Sequence, residues 1–233
     1  MVTAIVLAAG KGTRVGGEIP KQYMEVAGNP LLYYCLDSFE KSSVSDVVIV
    51  ADPSMAETCD EIVSRYGFGK VSVVISGGSE RYFSVLNALR ALSIRPESPD
   101  YVLIHDGARP YITPAGINTL IDEVSRFGAV VAAAPANDTI KITDQEGFVL
   151  STTDRSVTWQ VQTPQCFLFN DIFEAYEKVV APLEGSRDIS ITDDSMVFEQ
   201  AFPGRKVKLL DLGAENGKIT TAQDLKFMKF LLG

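Results

Sequence analysis

Thr3-Ala4-Ile5-Val6-Leu7 runs directly into Ala8-Ala9-Gly10-Lys11-Gly12-Thr13-Arg14, and a few residues later the chain reads Pro20-Lys21-Gln22. The first five residues are apolar or β-branched, the texture of a strand buried on both faces of a parallel sheet. The chain therefore leaves a buried strand and turns at once glycine-rich and basic. Small residues at Ala8, Ala9, Gly10 and Gly12 let backbone N–H groups come close to a bound anion. Lys11, Arg14 and Lys21 can place positive charge around it. A unit charge pair about 4 Å apart near a surface is worth roughly 4 kcal/mol at an effective dielectric of 20, so a polyphosphate suits the stretch. A solvated turn whose glycines serve geometry alone is the other reading of the same residues.

Two common phosphate loops do not fit. The Walker pattern needs Lys followed by Ser or Thr after its second glycine, whereas Gly12 is followed by Thr13-Arg14. The dinucleotide fingerprint needs a third glycine where Val15 stands, with Gly16 one residue late. An NAD-dependent enzyme is thus poorly supported.

Outward from this stretch, strands alternate with helical runs. Asp46–Ala51, Val71–Ile75, Tyr101–Ile104 and Ala129–Ala134 read as strands, and 31–39, 54–66 and 113–127 as helices, the second capped by Ser54. Such alternation builds right-handed βαβ crossovers and a parallel sheet covered on both faces. The expected fold is α/β: a Rossmann-like, three-layer domain with a mostly parallel central sheet, whose ligand sits outside the carboxyl ends of the strands. The texture changes at Asp138-Thr139-Ile140-Lys141-Ile142-Thr143, where alternation, a turn at Asp144–Gly147 and a return through Phe148–Thr153 spell a β-hairpin. An isolated hairpin is marginal in water, so this inserted arm, 137–156 of a single domain spanning 1–233, should pack on something else, most simply the same arm of a second subunit. A helix at 170–180, a last strand at 205–212 and a closing helix at 221–232 complete the expectation.

Composition narrows the function. The chain of 233 residues carries a net charge of −9, which disfavours nucleic acid and anionic membranes as partners. Cys35, Cys59 and Cys166 are scattered, with no Cys-x-x-Cys pair, so neither a disulfide framework nor a zinc site is indicated. No stretch resembles a signal peptide or a membrane span, and a cytoplasmic protein is expected.

Chemistry-bearing residues gather at the strand ends. Gly77-Gly78-Ser79-Glu80-Arg81 with Ser84 again joins glycines, a base and a helix N-terminus, which can hold an anion or a base edge. The same residues also read as a tight turn with Ser79 as helix cap. His105-Asp106-Gly107-Ala108-Arg109 ends the fourth strand. There Asp106 can hold Mg²⁺ or a hydroxyl and Arg109 can grip an oxyanion two-pronged, or the two can pair across their own turn. His105, the one histidine, is read as structural rather than as a general base. Thr192-Asp193-Asp194 invites a metal, but Thr192 as a helix cap with acids in the first turn explains it equally.

These motifs carry a resemblance. Leu7-Ala8-Ala9-Gly10-Lys11-Gly12-Thr13-Arg14 with Pro20-Lys21-Gln22-Tyr23 resembles the signature of nucleotidyltransferases acting on sugar or polyol phosphates, in its cytidylyltransferase form. Asp138-Thr139-Ile140-Lys141, Thr153-Asp154-Arg155 and Gln162-Thr163-Pro164-Gln165 resemble the 2-C-methyl-D-erythritol 4-phosphate cytidylyltransferase family. The likeness covers essentially the whole chain. It implies CTP and a polyol phosphate as substrates, Mg²⁺ carried mainly on phosphates with Asp106 as a possible ligand, and a homodimer through the arm. It further implies catalytic roles for Arg14, Lys21 and Lys218. Nucleotide contacts would come from Ala8, Ala9, Gly10, Gly12, Thr13, Arg14, Lys21, Gly77, Arg81 and Ser84. Contacts to the polyol phosphate would come from Asp106, Arg109, Thr139, Arg155, Thr163, Thr192 and Lys218, with Thr139 and Arg155 reaching into the neighbour's site. Three departures from the family pattern stand out: Ser79 where many relatives carry Asp, Gly107 for Ala, and Gly217 for an apolar residue. Ribitol 5-phosphate or a related pentitol phosphate is the nearest rival acceptor, and a non-catalytic nucleotide-binding protein the rival of another class.

Overall fold

The computed structural model describes residues 1–10, 19–184 and 191–232. In chain order the strands and helices are β1 (Val2–Leu7), β2 (Glu25–Val26), β3 (Asn29–Pro30), α1 (Leu31–Glu40), β4 (Asp46–Ala51), α2 (Ala56–Tyr66), β5 (Val71–Ser76), α3 (Arg81–Ser93), β6 (Tyr101–Asp106) and α4 (Pro114–Phe127). They continue with β7 (Ala129–Pro135), β8 (Lys141–Thr143), β9 (Val149–Thr152), β10 (Trp159–Leu168), α5 (Phe169–Val179), α6 (Asp194–Ala201), β11 (Lys208–Asp211) and α7 (Ala222–Leu232).

Seven strands form one sheet in the order β11-β7-β10-β6-β1-β4-β5. The pairs of β1 with β4 and β6, of β4 with β5 and of β7 with β11 are parallel, while β10 runs antiparallel to both of its neighbours. β10 is absent from the sequence expectation because its polar run Gln160–Gln165, broken by Pro164, hides the pattern of a strand. Its register with β7 shifts between Val161 and Gln165, across the cis Thr163–Pro164 bond.

Alternation along the strands supplies the two outer layers. Ala4, Val6, Val47 and Ile49 face α1, α2 and α4 through Leu32, Phe39, Cys59, Ile117 and Leu120. Ile5, Leu7, Val48 and Ile104 face the other way, against Val85, Leu89, Ile172, Tyr176 and Phe198 of α3, α5 and α6. A third, smaller cluster, Val26, Leu31, Ala108, Ile219 and Met228, anchors α7 beside the β2–β3 ribbon. The three-layer α/β expectation is thereby met.

Local caps differ from the sequence reading. The short turn Pro53–Met55 that leads into α2 is capped by Asp52, whose carboxylate accepts from the Ser54 N–H, and α2 itself starts after Met55 with no side-chain cap, so Ser54 is not the cap. Before α3 the cap position falls on Glu80 rather than Ser79. Before α6 it falls on Asp193, which accepts from the Met196 N–H at 3.0 Å, rather than on Thr192. In the last two cases the acid one position beyond the expected cap sits where the chain turns into the helix.

β8 and β9 pair only with each other, as an exposed two-stranded arm. Its side chains Ile142, Phe148, Val149 and Leu150 all stand exposed.

Where the loops after β1 and β5 cross, Gly77 permits the approach: a Cβ there would lie 2.5 Å from the Ala9 Cβ and 3.1 Å from the Ser84 Oγ. Gly77→Ala should therefore lower stability by about 1–3 kcal/mol, the usual cost of overpacking, measured by urea unfolding. An unchanged midpoint would show that the two loops yield freely.

Candidate active site

The strand order reverses at β1, with β4 and β5 to one side and β6 to the other. At such a switch point the loops leave in opposite directions and open a crevice at the carboxyl ends. A cleft of about 590 Å³ lies there, lined by Ala9 and Gly10 after β1, Asp52 and Pro53 after β4, Gly77 to Arg81 after β5, and Asp106 and Ala108 at the end of β6. Lys21, Gln22, Ser84, Lys218 and Thr220 complete its wall.

Of the residues singled out in the sequence, Ala9, Gly10, Lys21, Gly77, Arg81, Ser84, Asp106 and Lys218 meet in this one cleft. Ala8 lies just beneath, buried, its carbonyl accepting from the Tyr23 hydroxyl at 3.4 Å. Gly12, Thr13 and Arg14 lie outside the described residues, as does Lys11. Thr192 borders a separate small cavity of about 80 Å³, next to Arg81 and Asp193. Thr139 and Arg155 sit on the exposed arm and do not line the cleft of their own chain; Arg155 donates to the Asn137 carbonyl at 3.3 Å.

Asp106 is the hub. Its Oδ1 accepts from Arg81 Nε at 3.0 Å and its Oδ2 from Lys218 Nζ at 2.7 Å, while Arg109 Nε stands 3.9 Å from Oδ2. Burial alone would push this carboxyl upward, but Arg81, Lys218 and Arg109 outweigh it and hold the group well below the usual carboxylate range. Arg109 reaches past Asp106 to the Asn216 carbonyl at 2.9 Å. The turn pairing read from the sequence is thus present only as a long contact.

A chain of hydrogen bonds underlies the hub. The Asp106 N–H donates to Thr163 Oγ1 at 3.0 Å, and Thr163 Oγ1 lies 3.2 Å from His105 Nδ1. His105 Nε2 lies 3.1 Å from the Arg109 carbonyl, which can only accept. Nε2 therefore carries the proton, Nδ1 accepts, and the Thr163 hydroxyl donates to it. Thr163 is buried in this role, beneath the cleft rather than in its lining. The imidazole is fully buried and burial pushes it down to about 4, so at neutral pH it is uncharged and oriented for structure.

Lys21 is held almost out of solvent, with Nζ donating to the Ile219 carbonyl at 2.7 Å. Gln22 donates to the Gly10 carbonyl at 3.1 Å and so ties the first loop to the Pro20–Tyr23 turn. Ser84 closes the second loop, accepting from the Gly78 N–H at 3.0 Å.

Several contributors escaped the sequence reading. Asn216 donates from Nδ2 to Gln162 Oε1 at 3.1 Å and to the Thr163 carbonyl at 2.8 Å, bringing the Lys218 segment to the hub. Asp194 grips Arg81 with both oxygens at 2.8 Å. Asn216 stands two positions before Lys218 with no pattern of its own, and Asp194 reads in the sequence only as one of two acids at a helix start.

A sequence model of the family "IspD: 2-C-methyl-D-erythritol 4-phosphate cytidylyltransferase" matches residues 2–233. The chain is 43% identical over 234 residues to the 2-C-methyl-D-erythritol 4-phosphate cytidylyltransferase of Lachnoclostridium phytofermentans, covering 99% of this chain and 96% of that protein. It is 41% identical to the protein of the same name from Lachnospira eligens, covering 100% and 99%. Among solved structures, 4-diphosphocytidyl-2C-methyl-D-erythritol synthase from Anaerococcus prevotii superimposes with a TM-score of 0.85 at 31% identity, over 99% of this chain and 95% of that one.

A nucleotide-sized cleft at the switch point of this sheet, seen together with these relatives, is that of a nucleotidyltransferase. The chain belongs to the 2-C-methyl-D-erythritol 4-phosphate cytidylyltransferase family.

His105 is the only histidine, which isolates a pH effect. Its native value of about 4 lies below its ordinary 6.5, so the unfolded chain binds a proton that the folded chain refuses. Its contribution is full above about pH 6.5 and is lost as pH falls toward about 4. The thermal midpoint should decline across that window, and His105→Gln should flatten the decline. An equally steep slope in the variant would assign the effect elsewhere.

Proposed function

We propose that this chain transfers a cytidylyl group from CTP to 2-C-methyl-D-erythritol 4-phosphate, giving 4-diphosphocytidyl-2-C-methyl-D-erythritol and pyrophosphate, a step of isoprenoid precursor synthesis. The observation that carries the reading is the cleft itself, which brings together residues from every motif of the nucleotidyltransferase signature that the structure describes. The relatives' names favour this acceptor over ribitol 5-phosphate.

The chemistry suits the residues. The attacking phosphate monoester has a second pKa of about 6 and is largely dianionic at pH 7, so no general base is required. This agrees with a buried, neutral His105. What the reaction requires is charge stabilisation at the α-phosphate and donors held in place as pyrophosphate leaves. Lys21 and Arg14 serve the nucleotide, with Ala8, Ala9, Gly10, Gly12, Thr13, Gly77, Arg81 and Ser84 shaping its bed. Lys218, Arg109 and Asp106 serve the acceptor, with Thr163 beneath them and Thr192 as a further acceptor contact from the neighbouring small cavity.

Among the described residues the cleft lining sets three bases, Lys21, Arg81 and Lys218, against three acids, Asp52, Glu80 and Asp106. Arg81 and Lys218 are paired with carboxylates, and Lys21 is held by the Ile219 carbonyl among its partners. Two meeting anions need more positive charge than that. Arg14 supplies part of it on this reading, and Arg155 with Thr139 of a second subunit supplies the rest. The homodimer through the arm 137–156 is supported by the exposed apolar side chains of that arm.

Mg²⁺ is the expected cofactor. Both Asp106 oxygens face cations, and no cluster of three or more His, Cys, Asp or Glu placed to hold a metal occurs among the described residues. The donor set therefore does not form a cation cage of its own. The three cysteines are free buried thiols, and no helix is long and apolar enough to cross a membrane among the described residues. The compartment we assign is the cytoplasm.

Pyrophosphate release with CTP and Mg²⁺ tests the acceptor. It should be fast with 2-C-methyl-D-erythritol 4-phosphate and slow with ribitol 5-phosphate, and the reverse order would overturn the assignment. Lys21→Ala should lower turnover by at least about a hundred-fold with the fold intact; near-normal turnover would remove Lys21 from the mechanism. Arg155→Ala should chiefly raise the Michaelis constant for the polyol phosphate. Mixing it with the Lys21→Ala chain should restore part of the activity if sites are shared, and no restoration would mean that each site is built from one chain.

A further inference from the structure

Asp194 opens α6, behind the cleft wall, and is fully buried. Its Oδ1 accepts from Arg81 Nη1 at 2.8 Å and from the Tyr176 hydroxyl at 2.5 Å, and its Oδ2 accepts from Arg81 Nη2 at 2.8 Å. The start of α6 is itself fixed. Asp193 accepts from Gln165 Nε2 at 3.0 Å and from the Ser195 hydroxyl at 2.8 Å, while Gln165 Oε1 accepts from the Ser195 N–H at 2.8 Å. Three elements, β10, α5 and α6, thus cooperate to hold one carboxylate against one guanidinium.

Stability alone gives no reason for this. A buried ion pair is often no better than apolar residues of similar volume, because desolvation offsets the attraction. Geometry gives a reason. A two-pronged carboxylate fixes the plane of a guanidinium, and with both terminal nitrogens turned onto Asp194 the direction of Nε is no longer adjustable. Nε points at Asp106 Oδ1, which leaves Oδ2 for Lys218.

We infer that Asp194 is a positioning residue for the transfer reaction: through Arg81 it fixes the Asp106–Lys218 couple that holds the acceptor phosphate, with Tyr176 fixing Asp194 in turn. This rests on assigning the Asp106 edge of the cleft to the acceptor.

The test compares Asp194→Asn, Tyr176→Phe and Asp106→Asn with the parent enzyme, below their unfolding temperatures. Two quantities are read: kcat/KM for 2-C-methyl-D-erythritol 4-phosphate at saturating CTP, and CTP affinity without acceptor. An asparagine offers one acceptor oxygen and sets its NH2 donor against the other Nη, so the two-pronged pair is lost and the guanidinium loses its fixed plane. Asp194→Asn should lower the acceptor kcat/KM by on the order of ten- to a hundred-fold, the scale of a small misplacement, with a clearly smaller loss of CTP affinity, since Arg81 is one of many groups around the nucleotide. Tyr176→Phe keeps the ion pair and should give a smaller loss in the same quantity. A folded Asp194→Asn enzyme with unaltered acceptor kinetics, or one that loses CTP affinity equally, overturns the inference. If Asp194→Asn does not fold, Tyr176→Phe decides, and unaltered acceptor kinetics there overturns it as well. Asp106→Asn separates the two levels. Should it leave the acceptor parameters unchanged, the acceptor assignment fails and the inference with it; should it impair them while the other variants do not, only the inference fails.

Discussion

Asp106 carries its charge where water scarcely reaches, and the arrangement around the cleft follows from that constraint. A carboxylate in such a place persists only if cations and donors surround it. Arg81 arrives from α3, Lys218 from the segment before α7, and Thr163 braces the Asp106 backbone from β10. Removing one partner of a buried pair costs about 3–5 kcal/mol, because the other is left uncompensated. The elements that converge on the crevice are therefore locked by the same contacts that give it its charge pattern.

The alternating parts of the fold were legible because periodicity reports burial directly. β1, β4, β5, β6 and β7 are apolar enough to be read as strands, and α1, α2 and α4 show helical spacing. β10 was not legible: Gln162, Thr163 and Gln165 are polar yet buried, because they bond to Gly213, Asp106, Asp193 and Ser195 rather than to water. A strand used as a polar bracket looks like a loop in its sequence.

The site divides in the same way. The glycine-rich loops and bases that face the crevice stand out by composition, whereas the bracing roles of Asp194, Tyr176 and Asn216 are invisible until the chain is folded. Asp194 lies 113 positions from Arg81 along the chain, and Asn216 lies 107 from Arg109. Local patterns carry no information at such separations. The acidic average surface misleads in the opposite direction, since a chain of −9 still gathers Lys21, Arg81, Arg109 and Lys218 around one crevice.

The arm and the crevice share more than a chain. The Ala136 N–H donates to the Thr158 carbonyl at 2.9 Å, so the ladder between β7 and β10 continues to the base of the arm. Farther along β10, Thr163 and Gln165 brace the strand end of β6 and the start of α6. Between the two regions the register of β10 with β7 breaks, from Val161 to Gln165, and pairing of β10 with β6 begins only at Gln165. In mechanical terms the arm is a lever joined to the chassis of the crevice through one irregular span of sheet, the place where a load applied at its tip is taken up first.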